Sequence, residues 1–172
     1  MIKKHEDFDF EFKYFNCDGR ESSFCGNGSR NAVLIAKKLG FFSGAECKFV
    51  ASDGPHEAIV DEEKGWVEVK MKRVLQVECS GGGNYFLDTG SPHYVQLVPD
   101  ISEKDTLNEG RRIAHSEKFG PSGTNVNFVQ QVEKGIKVET FERGVENLVL
   151  SCGTGVTVSL SISSHFSLVL TF

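Results

Sequence analysis

The chain has 172 residues, of which 39% are apolar, and it carries a formal net charge of −5. These values are typical of a globular protein with one ordinary domain or two small lobes, and 14 phenylalanines can fill a sizeable core. Acidic and basic residues are interspersed, which argues against the basic stripe of a nucleic-acid-binding protein.

The termini and the cysteines set expectations about location and cofactors. The first seven residues are charged and hold no apolar run, so we expect no export signal and a cytoplasmic protein. Five irregularly spaced cysteines then predict reduced thiols rather than a disulfide framework. No paired-histidine or Cys-x-x-Cys spacing predicts a metal site. Residues 156–172 are apolar but too short and too rich in serine for a membrane span.

The first half of the chain reads as strands around one helix. Aromatic and charged residues alternate over residues 8–14, which predicts a half-buried strand. A helix is predicted over residues 29–40, where apolar residues recur at helical spacing and Gly40 suits the C-terminal cap. Residues 56–60 and 66–72 read as strands joined by an acidic turn. The glycine-rich stretch 80–84 is a linker or a hairpin tip.

The second half repeats this order loosely. Residues 85–98 predict strands interrupted at 90–92, and Thr106 with Glu109 fits a capping box for a helix that ends near residues 119–121. Two more strands are predicted over residues 126–132 and 136–141. Each half then contains a strand, a Cys-Gly-x-Gly motif and a presumed helix start, which indicates a weak internal repeat. We therefore predict two lobes, residues 1–83 and residues 84–172.

The two Cys-Gly-x-Gly motifs, residues 25–28 and 152–155, carry the strongest chemical signal. A thiol at a helix N-terminus ionises more readily, because unpaired N–H groups and the helix dipole stabilise the thiolate. The same N–H groups can bind a carboxylate, and glycines let it approach closely. Two such helix ends facing one carbon would let one thiolate remove its proton while the other thiol returns one. The pattern therefore favours stereoinversion at a carbon that bears a carboxylate.

Two other interpretations of the paired motifs remain open. A cysteine beside glycines is often a small buried residue in a tight turn, although the repetition weakens that interpretation. Two thiols near each other could also form a redox-active pair.

Five segments, in order, resemble the diaminopimelate epimerase family, whose members interconvert LL- and meso-diaminopimelate without a cofactor. They comprise residues 14–19, 25–30, 89–93, 123–128, and 142–145 leading to 151–155. Asn27 in the first cysteine motif favours this branch over related proline and hydroxyproline racemases. The resemblance implies an α+β fold of two pseudo-symmetric lobes. Each lobe would be a curved, mostly antiparallel sheet wrapped around a central helix.

The resemblance also implies roles for individual residues in pyridoxal-phosphate-independent epimerisation of diaminopimelate, a step of lysine and peptidoglycan precursor synthesis. Cys25 and Cys152 would be the two acid/base thiols, assisted by His93 and Glu142. The substrate-binding residues would be Asn16, Gly26, Asn27, Ser91, Asn125, Glu142, Arg143, Gly153 and Thr154. Among these, the backbone of Gly26, Asn27, Gly153 and Thr154 would hold the reacting carboxylate, while Asn16, Asn125 and Arg143 would bind the distal end. A homodimer is implied as well.

Each assigned residue also has a structural interpretation. Asn16 can cap a turn, Asn125 can satisfy backbone groups, and His93 can be a buried structural histidine. Glu142 and Arg143 are adjacent and can form a solvated pair. Cys17, Cys47 and Cys79 have no assigned role, and buried packing is the expectation for each.

The chain departs from the family pattern at both ends. Family members begin with a strand and a Gly-Asn-Asp-Phe segment, and they follow the second cysteine motif with an alanine-rich helix and closing strands. Here residues 156–164 are β-branched and serine-rich, which predicts poor helix formation after Cys152. We therefore expect an incomplete second lobe, and an inactive fragment of an epimerase is the alternative to an active enzyme.

Overall fold

The structure, a computed structural model, describes residues 1–16, 19–74 and 76–169. The chain divides into two compact units, Met1–Arg73 and Val74–Phe172. The division therefore falls earlier in the chain than the boundary after residue 83 that the sequence suggested. The reason is that the glycine-rich stretch 80–84 closes a hairpin inside the sheet of the second unit.

The first unit is a five-stranded sheet packed on one helix. In spatial order its strands are β1 (Ile2–Lys3), β2 (Phe10–Phe12), β3 (Glu46–Ala51), β4 (Gly54–Asp61) and β5 (Trp66–Val69). Helix α1 (Gly26–Lys38) connects β2 to β3, which are parallel because the helix carries the chain back to the starting edge. The other neighbours in this sheet are antiparallel.

The core of the first unit follows the alternation seen in the sequence. Phe10 and Phe12 are buried on β2, and the Phe10 ring stacks on Phe49 of β3 with 5.0 Å between ring centroids. Helix α1 covers them with Ala32 and Val33. Fully burying one phenylalanine contributes about 1.5–3 kcal/mol, so this aromatic layer accounts for much of the packing energy.

The second unit is a six-stranded sheet with helices on both faces. The spatial order of its strands is β11 (Asn147–Val149), β10 (Gly135–Glu142), β9 (Asn125–Val132), β8 (Pro92–Leu97), β7 (Asn84–Asp88) and β6 (Val77–Gly81). Only β8 and β9 are parallel among these neighbours, because helix α2 (Thr106–Ala114) connects them. Helix α3 (Gly153–Val169) follows β11.

Alternate residues of β9 face the two helices of the second unit. Val126 and Phe128 pack with Ile113 of α2, whereas Val129 packs with Val158 of α3. Because neighbouring strand residues point to opposite faces, α2 and α3 cover opposite faces of the sheet. Asn125 and Asn127 lie on the α3 face with Val129, so this face is polar at one end and apolar at the other.

The predicted fold class is confirmed: the chain is α+β, with two mostly antiparallel sheets and a helix after each cysteine motif. The prediction of a capping box that begins at Thr106 was wrong. Asp105 is the N-cap of α2 and accepts a hydrogen bond from the Asn108 N–H at 3.1 Å, while the Thr106 hydroxyl donates to Glu139. The helix ends at Ala114, and a separate 3₁₀ turn covers Glu117–Phe119.

The expectation of poor helix formation after Cys152 was wrong, because residues 153–169 form α3. The hydroxyls of Thr157, Ser159 and Ser161 each donate to the carbonyl four residues earlier, at 2.9, 2.6 and 2.8 Å. These bonds satisfy the side chains within the helix instead of competing with it. Val158 and Ile162 are buried on the sheet, and this packing outweighs the low intrinsic helix propensity. Among the described residues, no helix combines the length and apolar character needed to cross a membrane.

Candidate active site

Cys25 is the N-cap of α1. Its backbone is extended, and its Sγ accepts a hydrogen bond from the N–H of Gly28 at 3.4 Å. The Cys25 carbonyl accepts the first intrahelical bond, from Ser29, whose hydroxyl donates to the Gly26 carbonyl at 2.9 Å. The sulfur thus takes the place usually filled by a serine or aspartate oxygen, at the positive end of the helix.

The two glycines after Cys25 serve different purposes. A Cβ on Gly28 would lie 3.1 Å from the Phe12 ring and 3.4 Å from the Tyr14 ring, so a side chain there would crowd both rings. A Cβ on Gly26 would meet no atom closer than Arg30, at 4.0 Å. Gly26 is buried, and the space beside its Cα is bounded by the Arg30 side chain.

The other two candidates of the first unit are Asn16 and Asn27. Asn16 is half-buried in the loop before Cys25, where its N–H donates to the Arg20 carbonyl at 3.0 Å. Asn27 is half-buried in the first turn of α1, where its side-chain oxygen accepts a hydrogen bond from Arg30. In the first unit Cys25, Gly26 and Asn27 thus form the start of α1, and Asn16 lies in the loop that leads to it.

Cys152 repeats the arrangement at the start of α3. Its Sγ accepts a hydrogen bond from the N–H of Gly155 at 3.4 Å, the same distance and residue spacing as in the first unit. The carbonyl of Cys152 accepts from the N–H of Val156 at 2.9 Å. The Thr154 hydroxyl lies 3.4 Å from Sγ and is buried with its residue. The internal repeat inferred from the sequence therefore extends to the hydrogen bonding of both thiols.

Gly155 fits α3 tightly against polar side chains of the sheet. A Cβ there would lie 2.5 Å from Asn127 Oδ1, 3.0 Å from Thr140 Oγ1 and 3.2 Å from Cys152 Sγ. A Cβ at any of these separations would force the neighbouring atoms to move. Glycine at this position therefore lets the helix start sit directly on Asn127 and Thr140.

Asn127 connects that contact to His93. Its Oδ1 accepts from the Thr140 hydroxyl at 2.9 Å, and its Nδ2 lies 2.9 Å from His93 Nδ1 and 3.2 Å from the Tyr94 carbonyl. Because an amide nitrogen only donates, His93 Nδ1 accepts. Burial lowers the pKa of His93 to about 3, and the charge of Arg143 acts in the same direction. His93 is therefore a neutral imidazole.

Ser91, Asn125 and Arg143 form a second cluster beside His93. The Asn125 Nδ2 donates to the Ser91 hydroxyl at 2.9 Å, and its Oδ1 accepts from the Arg143 backbone N–H at 3.1 Å. The Arg143 guanidinium donates through Nη1 to the carbonyls of Ser122 and Gly123, at 2.9 and 3.4 Å. Asn125 is buried, and both ends of its amide are hydrogen-bonded inside the unit.

Glu142 ends β10 on the same side of the sheet as Thr140, because the two are separated by one residue. It is half-buried, and desolvation raises the pKa of its carboxyl group. The second unit therefore brings together Ser91, His93, Asn125, Glu142 and Arg143 near the start of α3.

The other cysteines differ from one another. Cys47 is buried in the first core, where burial and the charge of Asp9 raise the pKa of its thiol to about 11. The expectation of burial is confirmed there and wrong for Cys79, which is exposed on the edge strand β6. Cys17 lies outside the described residues. The four described cysteines are free thiols, and the described residues contain no group of three or more potential metal ligands.

Sequence reasoning assigned no role to Asn127 and Thr140, which support the start of α3. A signal for Asn127 was present in the segment 123–128, where Asn125 and Asn127 are two residues apart in an otherwise apolar strand. Two asparagines on one face of a buried strand indicate a polar network there. Thr140 carried no such signal, because threonine is common in strands.

The sequence comparisons agree on one family. A sequence model of the family described as diaminopimelate epimerase matches residues 85–167. The diaminopimelate epimerase of Flavobacterium psychrophilum is 41% identical over 161 residues, which cover 92% of this chain and 61% of that protein. The enzyme of Aquifex aeolicus is 40% identical over 163 residues, covering 90% and 58%. The chain thus spans about three fifths of the length of these curated relatives.

Solved structures support the fold alone. A PhzF-family phenazine biosynthesis protein from Bacillus anthracis aligns with a TM-score of 0.63 at 14% sequence identity, covering 91% of this chain and 62% of that one. A PhzF-family protein from Enterococcus faecalis aligns with a TM-score of 0.55 at 12% identity. At identities this low, the similarity supports a shared fold and gives no information about the reaction.

We expect Gly155→Ala to destabilise the second unit by about 1–3 kcal/mol, because the added methyl overpacks Asn127 and Thr140. Gly26→Ala is the matched control, since its methyl would meet no atom closer than the Arg30 side chain at 4.0 Å and alanine favours helices. Urea denaturation followed by circular dichroism measures both. Equal stability of the two variants would contradict the close packing at Gly155.

We also expect the free energy of unfolding to fall as the pH drops below about 6.5, the ordinary pKa of histidine. Below that pH the unfolded chain binds a proton at His93 that the folded chain, with a pKa of about 3, does not accept. The slope from this group approaches about 1.4 kcal/mol per pH unit. His93→Asn removes the group, so urea denaturation between pH 7 and 5 should show a shallower pH dependence for the variant. Parallel profiles for the two proteins would refute a neutral buried His93.

Proposed function

Because the chain belongs to the diaminopimelate epimerase family, we propose that it contributes to the interconversion of LL- and meso-diaminopimelate without pyridoxal phosphate or another cofactor. The observation that carries the proposal is the matched pair of sulfur-capped helices. In each, a cysteine Sγ accepts the N–H three residues later at 3.4 Å. Since the chain spans about three fifths of its curated relatives, turnover by this chain alone is part of the proposal.

The proposed reaction needs one thiolate and one thiol. One cysteine, as the thiolate, takes the proton from the α-carbon, and the electron pair of the broken C–H bond moves into the adjacent carboxylate. The other cysteine then donates its proton to the opposite face of the carbon. The C–H bond is remade with inverted configuration, and the two sulfurs have exchanged protonation states. The proposal therefore requires Cys25 and Cys152 to reach opposite faces of one carbon, and it involves no net oxidation.

We assign the reacting carboxylate to the backbone N–H groups of Gly26, Asn27, Gly153 and Thr154. The first N–H groups of a helix have no partner within the helix and point toward its N-terminal end. Negative charge grows on the carboxylate as the proton leaves, so these donors stabilise the transition state more than the bound substrate. The space beside Gly26, where a Cβ would meet no atom closer than the Arg30 side chain at 4.0 Å, supports this assignment.

We assign the distal amino-acid end of the substrate to Asn16, Asn125 and Arg143, and we assign Ser91 and Glu142 as further substrate contacts. A guanidinium has five N–H donors, so Arg143 can hold the backbone carbonyls of its own unit and a substrate carboxylate together. The raised pKa of Glu142 suits a carboxyl group that exchanges a proton or a hydrogen bond with the substrate amine.

His93 has a supporting role in the proposal. A neutral imidazole supplies no positive charge to a thiolate, so its contribution is to orient Asn127 beneath Gly155 and Cys152. The proposal also includes a cytoplasmic location, a place in lysine and peptidoglycan precursor synthesis, and assembly as a homodimer.

The first test is deuterium uptake at the α-carbon of meso-diaminopimelate in heavy water with a reductant present. We expect uptake by the chain, and a loss of about 10²–10⁴-fold in Cys25→Ala and in Cys152→Ala, since each variant lacks one acid/base group. Cys79→Ala is the matched control, because that thiol is exposed on an edge strand and should be dispensable. A folded chain with no uptake, or full uptake in either cysteine variant, would reject the proposal for this chain.

A second test concerns the carboxylate. We expect Gly26→Ala to fold normally but to lower the exchange rate at least tenfold, equivalent to about 1.4 kcal/mol, because the methyl would stand beside the N–H groups assigned to the carboxylate. The dependence of the rate on substrate concentration separates weaker binding from slower chemistry. An unchanged rate would argue against carboxylate binding at Gly26.

A further inference from the structure

A buried ionisable pair in the first unit has no role in the reaction proposed above. His56 on β4 and Asp53 in the preceding turn have side chains that are 3% and 6% exposed. His56 Nε2 lies 2.9 Å from Asp53 Oδ1, and His56 Nδ1 lies 3.2 Å from the Lys70 carbonyl. The second carboxylate oxygen of Asp53 is buried and has no hydrogen-bond partner within the described residues.

The partners determine the protonation of His56. A carbonyl oxygen and a carboxylate oxygen both accept, so each ring nitrogen faces an acceptor. A neutral imidazole has one N–H and would leave one acceptor unsatisfied, whereas an imidazolium satisfies both. Burial by itself lowers the pKa of His56, but the bonds to Asp53 and Lys70 raise it by more, so the net direction is upward.

The His56 ring also contacts the residue next to Cys25. It stacks on the Phe24 ring with 4.3 Å between centroids and 9° between planes, and on the Phe49 ring at 5.2 Å and 19°. Phe24 is buried and directly precedes the cysteine that caps α1. A shift of the imidazole would therefore be transmitted through Phe24 to the backbone that carries the Cys25 side chain.

We propose that the buried His56–Asp53 pair is a positioning device for Cys25, acting through the stacked ring of Phe24. His56 and Asp53 are positioning residues and do not touch substrate. The inference rests on the proposed function for the role of Cys25, whereas its test requires no turnover.

The device has a defined dependence on pH. With both N–H groups present, the ring is tied to Asp53 and to the Lys70 carbonyl. As the pH rises through the pKa of His56, one of these bonds is lost. The contribution of the pair to stability is thus complete below the ordinary histidine pKa of about 6.5 and is lost above the raised one. The charge of Lys72 opposes protonation, and Lys48, Glu57, Lys70 and Arg73 line the cavity of about 420 Å³ beside the pair.

Three cysteines of the chain allow the test to be made within one protein. The reduced chain is treated with iodoacetamide from pH 5.5 to 9, and peptide mass mapping gives separate alkylation rates for Cys25, Cys152 and Cys47. Cys152 is the matched control, a thiol capped in the same way in the other unit. Cys47 is buried in the core of the first unit, so its alkylation reports unfolding of that unit. The His56 ring resonances are titrated in parallel by nuclear magnetic resonance.

For the unaltered chain we expect His56 to titrate above pH 6.5 and the Cys25 rate profile to show a break at the same pH, absent from the Cys152 profile. Asp53→Asn keeps the size and one acceptor but removes the charge, so the His56 titration and the Cys25 break should both move to lower pH. His56→Gln should abolish the break. The Cys152 profile should be unchanged in both variants.

Two results would overturn the inference. The first is a His56 titration at or below pH 6.5 in the unaltered chain, which would exclude the buried imidazolium. The second is a Cys25 profile with no break where His56 titrates, which would separate the pair from the thiol. If His56→Gln makes Cys47 reactive, that variant has opened the unit. The unaltered chain and Asp53→Asn, with Cys47 protected, then decide the question.

Discussion

A cysteine sulfur that accepts the N–H three residues later is the interaction on which the candidate residues of each unit depend. It ends the preceding loop, begins the helix and fixes the sulfur at the positive end of the helix dipole in one local arrangement. A glycine at the third position after the cysteine is part of the same arrangement. The space that a side chain at this glycine would need is occupied by Phe12 and Tyr14 in the first unit and by Asn127 and Thr140 in the second. The first contact is aromatic and the second is polar, so the two similar motifs have different supports.

The support beneath Cys152 consists of buried polar side chains, each of which needs a hydrogen-bond partner. Asn127, Thr140 and His93 are all buried, and a buried polar group without a partner costs about 1–3 kcal/mol. The network avoids that cost because both ends of the Asn127 amide are hydrogen-bonded and the imidazole stays neutral. Further along the same sheet face, Val129 meets Val158 and Ile162 of α3. The apolar end of this sheet face packs against α3, and the polar end contacts the first turn of α3 and orients it.

Much of this could be read from the sequence, and the failures have physical causes. The strands of alternating pattern, α1 and the two cysteine caps follow from local periodicity and local hydrogen bonding, which a single sequence contains. Helix α3 was missed because propensity scales do not include the hydroxyl bonds back to the helix or the burial of Val158. The network of Asn127, Thr140 and His93 depends on strand register, as His93 lies opposite Asn125 and Thr140 opposite Asn127. Register is a long-range property that no short segment encodes.

The parallel pairing of β8 with β9 has a consequence for the order of folding. The sulfur caps join residues three apart, whereas the bond between His93 and Asn127 closes a loop of 34 residues. Closing a loop of that size costs about 3 kcal/mol of chain entropy before any contact across it forms. We therefore expect the start of α1 to form early, whereas α3, which depends on packing against the sheet, and the polar network form only after α2 has docked, an order that pulsed hydrogen exchange of β8 amides can follow. During synthesis, the strands that support the second thiol leave the ribosome before it does, so its helix would form on a sheet that is already present.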